Sequence, residues 1–217
     1  MSNWFEQIRA KTDFVLEAIK AHPFITELMD GSLSKDVFHF YIYQDAHYLF
    51  EYKKVLALLG VKCDNTEDAQ FFFGSAMETI SVENALHETY LQRSTLEGAP
   101  SPTCELYTSY LARIVGNHSL EEGLAAVLPC FTIYQEIGDY ILAHQTNKKD
   151  NPYQDWINTY GGEDFANSVK KAVAINNKYA ANAPAAVISK MELAFEKSSK
   201  LEWMFWDSAY QQEQWKI

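Results

Sequence analysis

LPCFTIYQEIG, Leu128–Gly138, sits inside a longer run whose apolar residues recur at helical spacing. Proline has no backbone N–H, so Pro129 should deprive the carbonyl of Ala125 of its partner and kink the helix. Cys130 follows the proline directly, and Tyr134 lies four residues on, on the same helical face. A thiol one turn from a phenol, at a locally unsatisfied point of a helix, is a place where chemistry can sit. The competing reading is that Cys130 is a small apolar filler, as buried free cysteines usually are.

Outward from this stretch the chain reads as helices throughout. Residues 3–20 carry Trp4, Phe5, Ile8, Val15, Leu16 and Ile19 as one helical stripe, ended by His22-Pro23. A short helix from Phe24 to Met29 closes at Asp30-Gly31. Ser34 can cap a long helix with Asp36 in its first turn, running to about Gly60. Its segment FHFYIYQDAHYLFEY is apolar nearly all round, which predicts a central position. Asn65 and Asp68 open a third long helix, expected to end near Gly98. Ser101-Pro102 pairs an N-cap with proline at the first helical position, and Gly116-Asn117 stops that helix. Ser119 and Glu122 form a capping box for the helix bearing Cys130, which fades near Thr146-Asn147. A short segment from Tyr153 to Tyr160, a helix over 163–181 and a last helix opened by Pro184 complete the chain. No strand-length alternation with hairpin signals is present. The expectation is one all-α helical-bundle domain over 1–217, with about seven long helices plus short ones.

Composition narrows the function. The chain has 217 residues and a net charge of −11, with 29 acidic residues against 18 Lys and Arg. No basic stripe marks a nucleic-acid surface. No apolar run approaches the roughly 18 residues of a membrane span. The first residues, MSNWFEQIRAK, lack a signal-peptide pattern, so the expected location is the cytoplasm. Cys63, Cys104 and Cys130 have neither disulfide parity nor metal-ligand spacing. The 13 Tyr, 13 Phe and 5 Trp exceed what an ordinary helical core requires, and several stand beside carboxylates. Aromatic walls with a few placed polar groups suit a pocket for a flat organic ligand.

Two carboxylates stand out. Asp45 lies within Tyr41-Ile42-Tyr43-Gln44-Asp45-Ala46-His47-Tyr48-Leu49, where a charge is costly unless paired or hydrogen-bonded. Glu202 is flanked by Leu201 and Trp203-Met204-Phe205-Trp206, a setting that raises a carboxyl pKa and suits a general acid. Each has a plain structural alternative, a cap or an ion pair to a neighbouring helix for Asp45 and a rim position for Glu202. Glu83 and His87, at i and i+4, have a spacing that can hold a metal. The further Glu-x-x-His ligands of a helical di-metal site are missing, so no metal and no cofactor are expected.

Five segments in order and at this spacing resemble the TenA/thiaminase II family of the haem-oxygenase-like all-α fold: QDAHYL at 44–49, YTSYL at 107–111, LPCFTIY at 128–134, WINTYGG at 156–162 and LEWMFWDSAY at 201–210. The resemblance covers essentially the whole chain. It implies a homotetrameric hydrolase without a metal, acting at the 5-methylene carbon of 4-amino-2-methylpyrimidines. The substrates it implies are 4-amino-5-aminomethyl-2-methylpyrimidine, converted to the hydroxymethyl compound that re-enters thiamin synthesis, and thiamin itself. It implies Cys130 as nucleophile, Glu202 as acid/base and Asp45 as the reader of the pyrimidine. Tyr48, Tyr107, Tyr134 and Tyr160 match pocket tyrosines, and Phe205 a stacking ring. Phe131-Thr132 and His47 depart from the family's usual residues and could reshape the pocket.

The implied chemistry fits these residue types. A thiolate adding to the ring beside the substituted carbon gives an enamine that expels the leaving group, and water then replaces it. Glu202 would protonate the departing amine and then activate water. Tyr160 would hydrogen-bond a ring nitrogen as charge develops there. Nearby carboxylates and an apolar lining should nevertheless raise the thiol pKa. Relief could come from Glu202 or a ring nitrogen taking the proton, or from a helix N-terminus aimed at the sulfur. Two other readings share the pocket: a pyrimidine-binding regulator that needs neither Cys130 nor Glu202, and a di-metal oxidase built on Asp45, Glu83 and His87.

Overall fold

The computed structural model describes residues 3–90 and 99–217, with residues 82–90 described as backbone only. Among the described residues there are ten helices and no strand. They are α1 (Trp4–Lys11), α2 (Asp13–Lys20), α3 (Pro23–Asp30), α4 (Lys35–Lys62), α5 (Thr66–Tyr90), α6 (Pro102–Asn117), α7 (Leu120–His144), α8 (Gln154–Tyr160), α9 (Glu163–Asn182) and α10 (Ala185–Tyr210).

Local chemistry sets most boundaries. Ser34 accepts from the Asp36 N–H, Asn65 from that of Asp68, Ser101 from that of Cys104 and Ser119 from that of Glu122. The box expected at Ser119 is half formed, because the Glu122 carboxylate turns to His118 Nδ1 at 2.9 Å. The stripe over 3–20 is two helices rather than one. Thr12 sits between them at φ −102°, ψ 9°, with its N–H still on the Ile8 carbonyl at 3.0 Å and its hydroxyl donating to the Ile8 and Arg9 carbonyls at 2.9 and 3.3 Å, at the last turn of α1. Among the described residues six long helices result instead of about seven. Pro129 does not interrupt α7, which continues helical on both sides of it. The expected end of α5 near Gly98 lies outside the described residues.

α4, α7 and α10 make the centre. α7 packs on α10, α9, α6 and α8, while α4 packs on α5, α6 and α10. α4 is as internal as its sequence predicts, burying Tyr41, Ile42, Asp45, Tyr48, Leu49, Tyr52, Val55, Leu56 and Leu59. Arg9 grips Glu136 with both Nε and Nη2, at 2.7–3.0 Å, fastening α1 to the flank of α7. Most described aromatics are internal, Tyr41, Tyr107, Trp156 and Trp206 among the largest. Phe50, Phe73, Met77 and Leu106 remain exposed.

Candidate active site

On α4, Tyr41, Asp45, Tyr48 and Tyr52 are spaced by four, three and four residues, so one helical face presents all four inward. α7 faces it with Cys130, Phe131 and Tyr134. α8 brings Tyr160, and its placement depends on Gly138 of α7: a Cβ there would lie 2.7 Å from the Tyr160 carbonyl carbon and the Gly161 nitrogen. That close approach sets the Tyr160 ring 4.8 Å from Tyr134 and 4.8 Å from Trp156. Between these helices lies a cavity of about 110 Å³. Asp45, Tyr48, Tyr52, Cys130, Phe131, Tyr134 and Tyr160 line it, and Ser75, Glu78 and Thr79 of α5 and Ser168 of α9 add polar groups.

Five of the eight expected site residues therefore share one cavity: Asp45, Tyr48, Cys130, Tyr134 and Tyr160. The other three form the layer behind it. The Tyr107 hydroxyl donates to Glu202 Oε1 at 2.7 Å, and both residues are buried. The Tyr107 ring lies 5.0 Å from Tyr48, and the Phe205 ring 5.7 Å from Tyr48 and 6.1 Å from Tyr41. Phe205, expected as a stacking ring, thus backs the tyrosines of α4. Of the two departures, Phe131 reaches the cavity wall, whereas Thr132 bonds the Leu128 carbonyl at 3.2 Å. His47 faces a separate groove between α4 and α6. The side chains of Glu83 and His87 lie outside the described residues.

Tyr41 and Tyr52 were not singled out in the sequence, although the α4 spacing points to both. The Tyr41 hydroxyl lies 3.2 Å from that of Tyr134 and accepts from the Trp156 indole at 3.3 Å. The Tyr52 hydroxyl donates to the Val127 carbonyl at 3.0 Å, two residues before Pro129. Its one proton rests on that carbonyl, although the hydroxyl also faces the Cys130 sulfur. The Tyr48 hydroxyl is different. It is buried, makes no hydrogen bond of ordinary geometry, and faces both the Cys130 sulfur and the Tyr107 hydroxyl. A buried donor left unsatisfied is costly, and a thiolate at Cys130 would satisfy it.

Electrostatics fix the resting protonation. Burial, first, and then the charge of Glu202 push the Cys130 thiol well above its usual range; the Tyr48 and Tyr52 hydroxyls pull it down, and Asp45 adds to the rise. Cys130 lies ten residues inside α7, away from that helix's own N-terminus. Burial pushes the Glu202 carboxyl up to about 8, opposed by the Tyr107 hydrogen bond and reinforced by Asp45. At neutral pH the pair rests as thiol and largely protonated acid. Through Tyr48 and Tyr107 the thiol faces the Glu202 carboxyl, which when ionised can accept its proton.

The chain is also similar in sequence and fold to known proteins. The family model described as TENA/THI-4/PQQC matches residues 7–212. An aminopyrimidine aminohydrolase from Bacillus subtilis is 32% identical over 216 residues, which is 97% of this chain and 91% of that protein. The thiamine biosynthesis multifunctional protein ThiED of Corynebacterium efficiens is 43% identical over 166 residues, or 75% of this chain. That stretch is 22% of ThiED's length, so the chain spans about a quarter or less of such multifunctional relatives. Among solved structures, a TenA homologue protein from P. horikoshii OT3 has a TM-score of 0.85 at 25% identity, covering 97% of this chain and 99% of its own. A Shewanella denitrificans domain with a heme oxygenase-like fold has a TM-score of 0.77 at 18% identity, covering 96% and 92%. The fold is thus the haem-oxygenase-like all-α bundle that the sequence motifs imply.

Proposed function

This chain belongs to the TENA/THI-4/PQQC family, and on that footing we propose that it is an aminopyrimidine aminohydrolase of thiamin salvage, folded as a single domain over 1–217. Its reaction is hydrolysis of 4-amino-5-aminomethyl-2-methylpyrimidine to the hydroxymethyl compound and ammonia, with cleavage of thiamin at the same carbon as a second activity. The observation that carries this reading is the chain of groups from the cavity inward. The Cys130 sulfur faces the Tyr48 hydroxyl, Tyr48 faces the Tyr107 hydroxyl, and Tyr107 bonds Glu202. The B. subtilis relative named aminopyrimidine aminohydrolase supports the substrate class.

In this reading the cycle starts with Glu202 ionised. As the Cys130 sulfur adds to the ring carbon, its proton passes to Glu202 by way of Tyr48 and Tyr107. Glu202, now protonated, supplies a proton by way of Tyr107 and Tyr48 to the departing amine as the C–N bond breaks and the enamine collapses. By the same path the carboxylate then takes a proton from the water that adds to the methylene carbon. The carbon–sulfur bond breaks last, ring aromaticity returns, and Glu202 returns the proton to the sulfur. One water is consumed and one ammonia released, with the enzyme unchanged. Asp45 accepts from the 4-amino group, and Tyr160 bonds the ring nitrogen that gains charge during addition. Tyr134 shapes the aromatic wall, with its hydroxyl engaged by Tyr41, and Phe205 holds Tyr48 in place.

The catalytic reading is favoured over a binding protein because Cys130 and Glu202 would be idle in one. Release of ammonia from the aminomethyl pyrimidine, measured beside thiamin cleavage, tests it. Binding of both compounds without turnover of either would replace the enzyme with a pyrimidine-binding protein. The assembly proposed is a homotetramer, for which exposed Phe50, Phe73, Met77 and Leu106 offer apolar surface. No helix among the described residues is long and apolar enough to cross a membrane.

A further inference from the structure

We infer that the segment after α10, through Glu213, is a positioning device for the proposed Tyr107–Glu202 pair. The inference rests on the reading that Glu202 is the acid/base group. It starts from an account of the free N–H groups at the head of α6. Pro102 has none, and the Cys104 N–H goes to the Ser101 hydroxyl at 3.2 Å. The Glu105 N–H enters the helix ladder by bonding the Ser101 carbonyl at 2.9 Å. One first-turn donor remains, the Thr103 N–H, and it is taken by Glu213 Oε2 at 3.0 Å from 110 residues away in sequence. A carboxylate at that place also meets the positive end of the helix.

The reach of Glu213 is built, not incidental. α10 ends in a Schellman arrangement, with the Gln212 N–H on the Ala209 carbonyl at 3.1 Å and the Glu213 N–H on the Ser208 carbonyl at 2.8 Å. Gln212 adopts φ 48°, the only left-handed residue other than glycine among those described. That reversal turns the chain so that Glu213 meets α6. Two residues on, the Trp215 indole donates to the Pro100 carbonyl at 2.8 Å, a second tie to the same entry into α6.

The clamp therefore joins the end of α10 to the start of α6, the two helices that carry the buried pair. Tyr107 stands one turn beyond Thr103, and Glu202 less than two turns before Ser208. The Tyr107 hydrogen bond holds the Glu202 carboxyl lower than burial alone would. If the clamp sets that bond, releasing it lengthens the bond and lets the Glu202 pKa rise further.

The test follows the Glu202 carboxyl directly, by 13C NMR of glutamate-labelled full-length protein across pH, in the wild type, Glu213→Gln and Glu213→Ala. The glutamine keeps an oxygen that can accept from Thr103, whereas alanine keeps nothing. The expected result is an upward move of the Glu202 midpoint by roughly 0.5–1 pH unit in Glu213→Ala, the span of one modest hydrogen bond, with Glu213→Gln in between. Trp215→Phe should move it in the same direction, which keeps the test open if Glu213→Ala folds poorly. In turnover, kcat should fall several-fold in Glu213→Ala while KM changes less than about twofold, because the bound ring is not touched. A Glu202 midpoint unmoved in all three variants, with only Tm reduced, would overturn the inference and leave the segment a brace. The NMR readout needs no catalysis, so a wild type without ammonia release would count against the proposed function alone.

Discussion

Replacing Glu202 by glutamine should make this protein more stable in alkaline solution and nearly inactive. In the unfolded chain the carboxyl ionises near 4.5, and in the folded protein near 8. Across that window the unfolded state releases a proton that the folded state keeps. The stability associated with Glu202 is full below pH 4.5, declines by about 1.4 kcal/mol per pH unit as pH rises, and levels off above pH 8. The total decline is about 5 kcal/mol, a large part of the 5–15 kcal/mol typical of a domain. Glutamine has no proton to lose and keeps an oxygen for the Tyr107 hydroxyl, so it avoids the decline. Urea denaturation of both proteins at pH 5, 7 and 9 isolates this difference, because the other titrating groups are common to both. The stability gap should swing towards the glutamine protein by several kcal/mol between pH 5 and 9. In parallel, kcat should drop by ~10²–10⁴-fold, the usual range for a lost general acid–base group. Stability curves that run parallel to within about 1 kcal/mol would refute the reasoning, since a carboxyl perturbed this far must move them.

Cys130→Ala should abolish ammonia release while urea midpoints stay close to wild type, and bound product should shield Cys130 from alkylation; full activity would end the covalent mechanism. Asp45→Asn should narrow the preference for 4-amino over 4-oxo pyrimidines, which a site built around one hydrogen-bonding group can hold at ~10⁴–10⁵-fold; kcat/KM for both analogues with both proteins measures it, and an unchanged ratio removes Asp45 from ring reading. Gly138→Ala should push the Tyr160 backbone away, costing ~1–3 kcal/mol as overpacking does and raising KM; an unaltered KM would mean that Tyr160 makes no contact with the ring. Light scattering at micromolar concentration should give about four times the chain mass, in line with exposed Phe50, Phe73, Met77 and Leu106; a monomer would leave those side chains as plain surface.

Helices with strong punctuation were legible in the sequence, because a cap or a proline acts within one turn. Ser34, Asn65, Ser101 and Ser119 each cap as their chemistry predicts. The break at Thr12 was not legible. A threonine inside an apolar stripe continues a helix in many settings, and here its hydroxyl bonds the Ile8 and Arg9 carbonyls while its backbone leaves helical geometry. The site divides in the same way. Asp45 and Glu202 stood out because a carboxylate among aromatics is costly wherever the fold puts it. Tyr52 and Tyr41 did not, since tyrosine is unremarkable on an apolar helix until a neighbouring face is known. Their spacing from Asp45 and Tyr48 was visible, but the facing α7 was needed to turn that spacing into a wall. The depth of each residue was also out of reach of sequence. Tyr107, Glu202 and Phe205 form a layer behind Tyr48, and only tertiary packing separates lining from support.

The hydroxyl inventory of this core separates the two tyrosines, Tyr48 and Tyr52, that face the sulfur. Each phenol carries one proton. Tyr52 commits its proton to the Val127 carbonyl and Tyr107 to Glu202, while Tyr41 and Tyr134 share one hydrogen bond between them. Tyr48 alone of these keeps a buried hydroxyl without an ordinary partner, and it lies against Cys130. A fold selected for stability alone would gain by filling that position with phenylalanine, since the ring would pack and no polar group would need a partner. The cost of the hydroxyl becomes understandable if its partner is transient, present when the sulfur is a thiolate and absent when it is a thiol. The raised Glu202 carboxyl follows the same logic, because a group buried for its rest state as an acid must lose stability to act as a base. The cost of both is carried by a rigid frame of long helices, in which α4, α7 and α10 meet around the cavity.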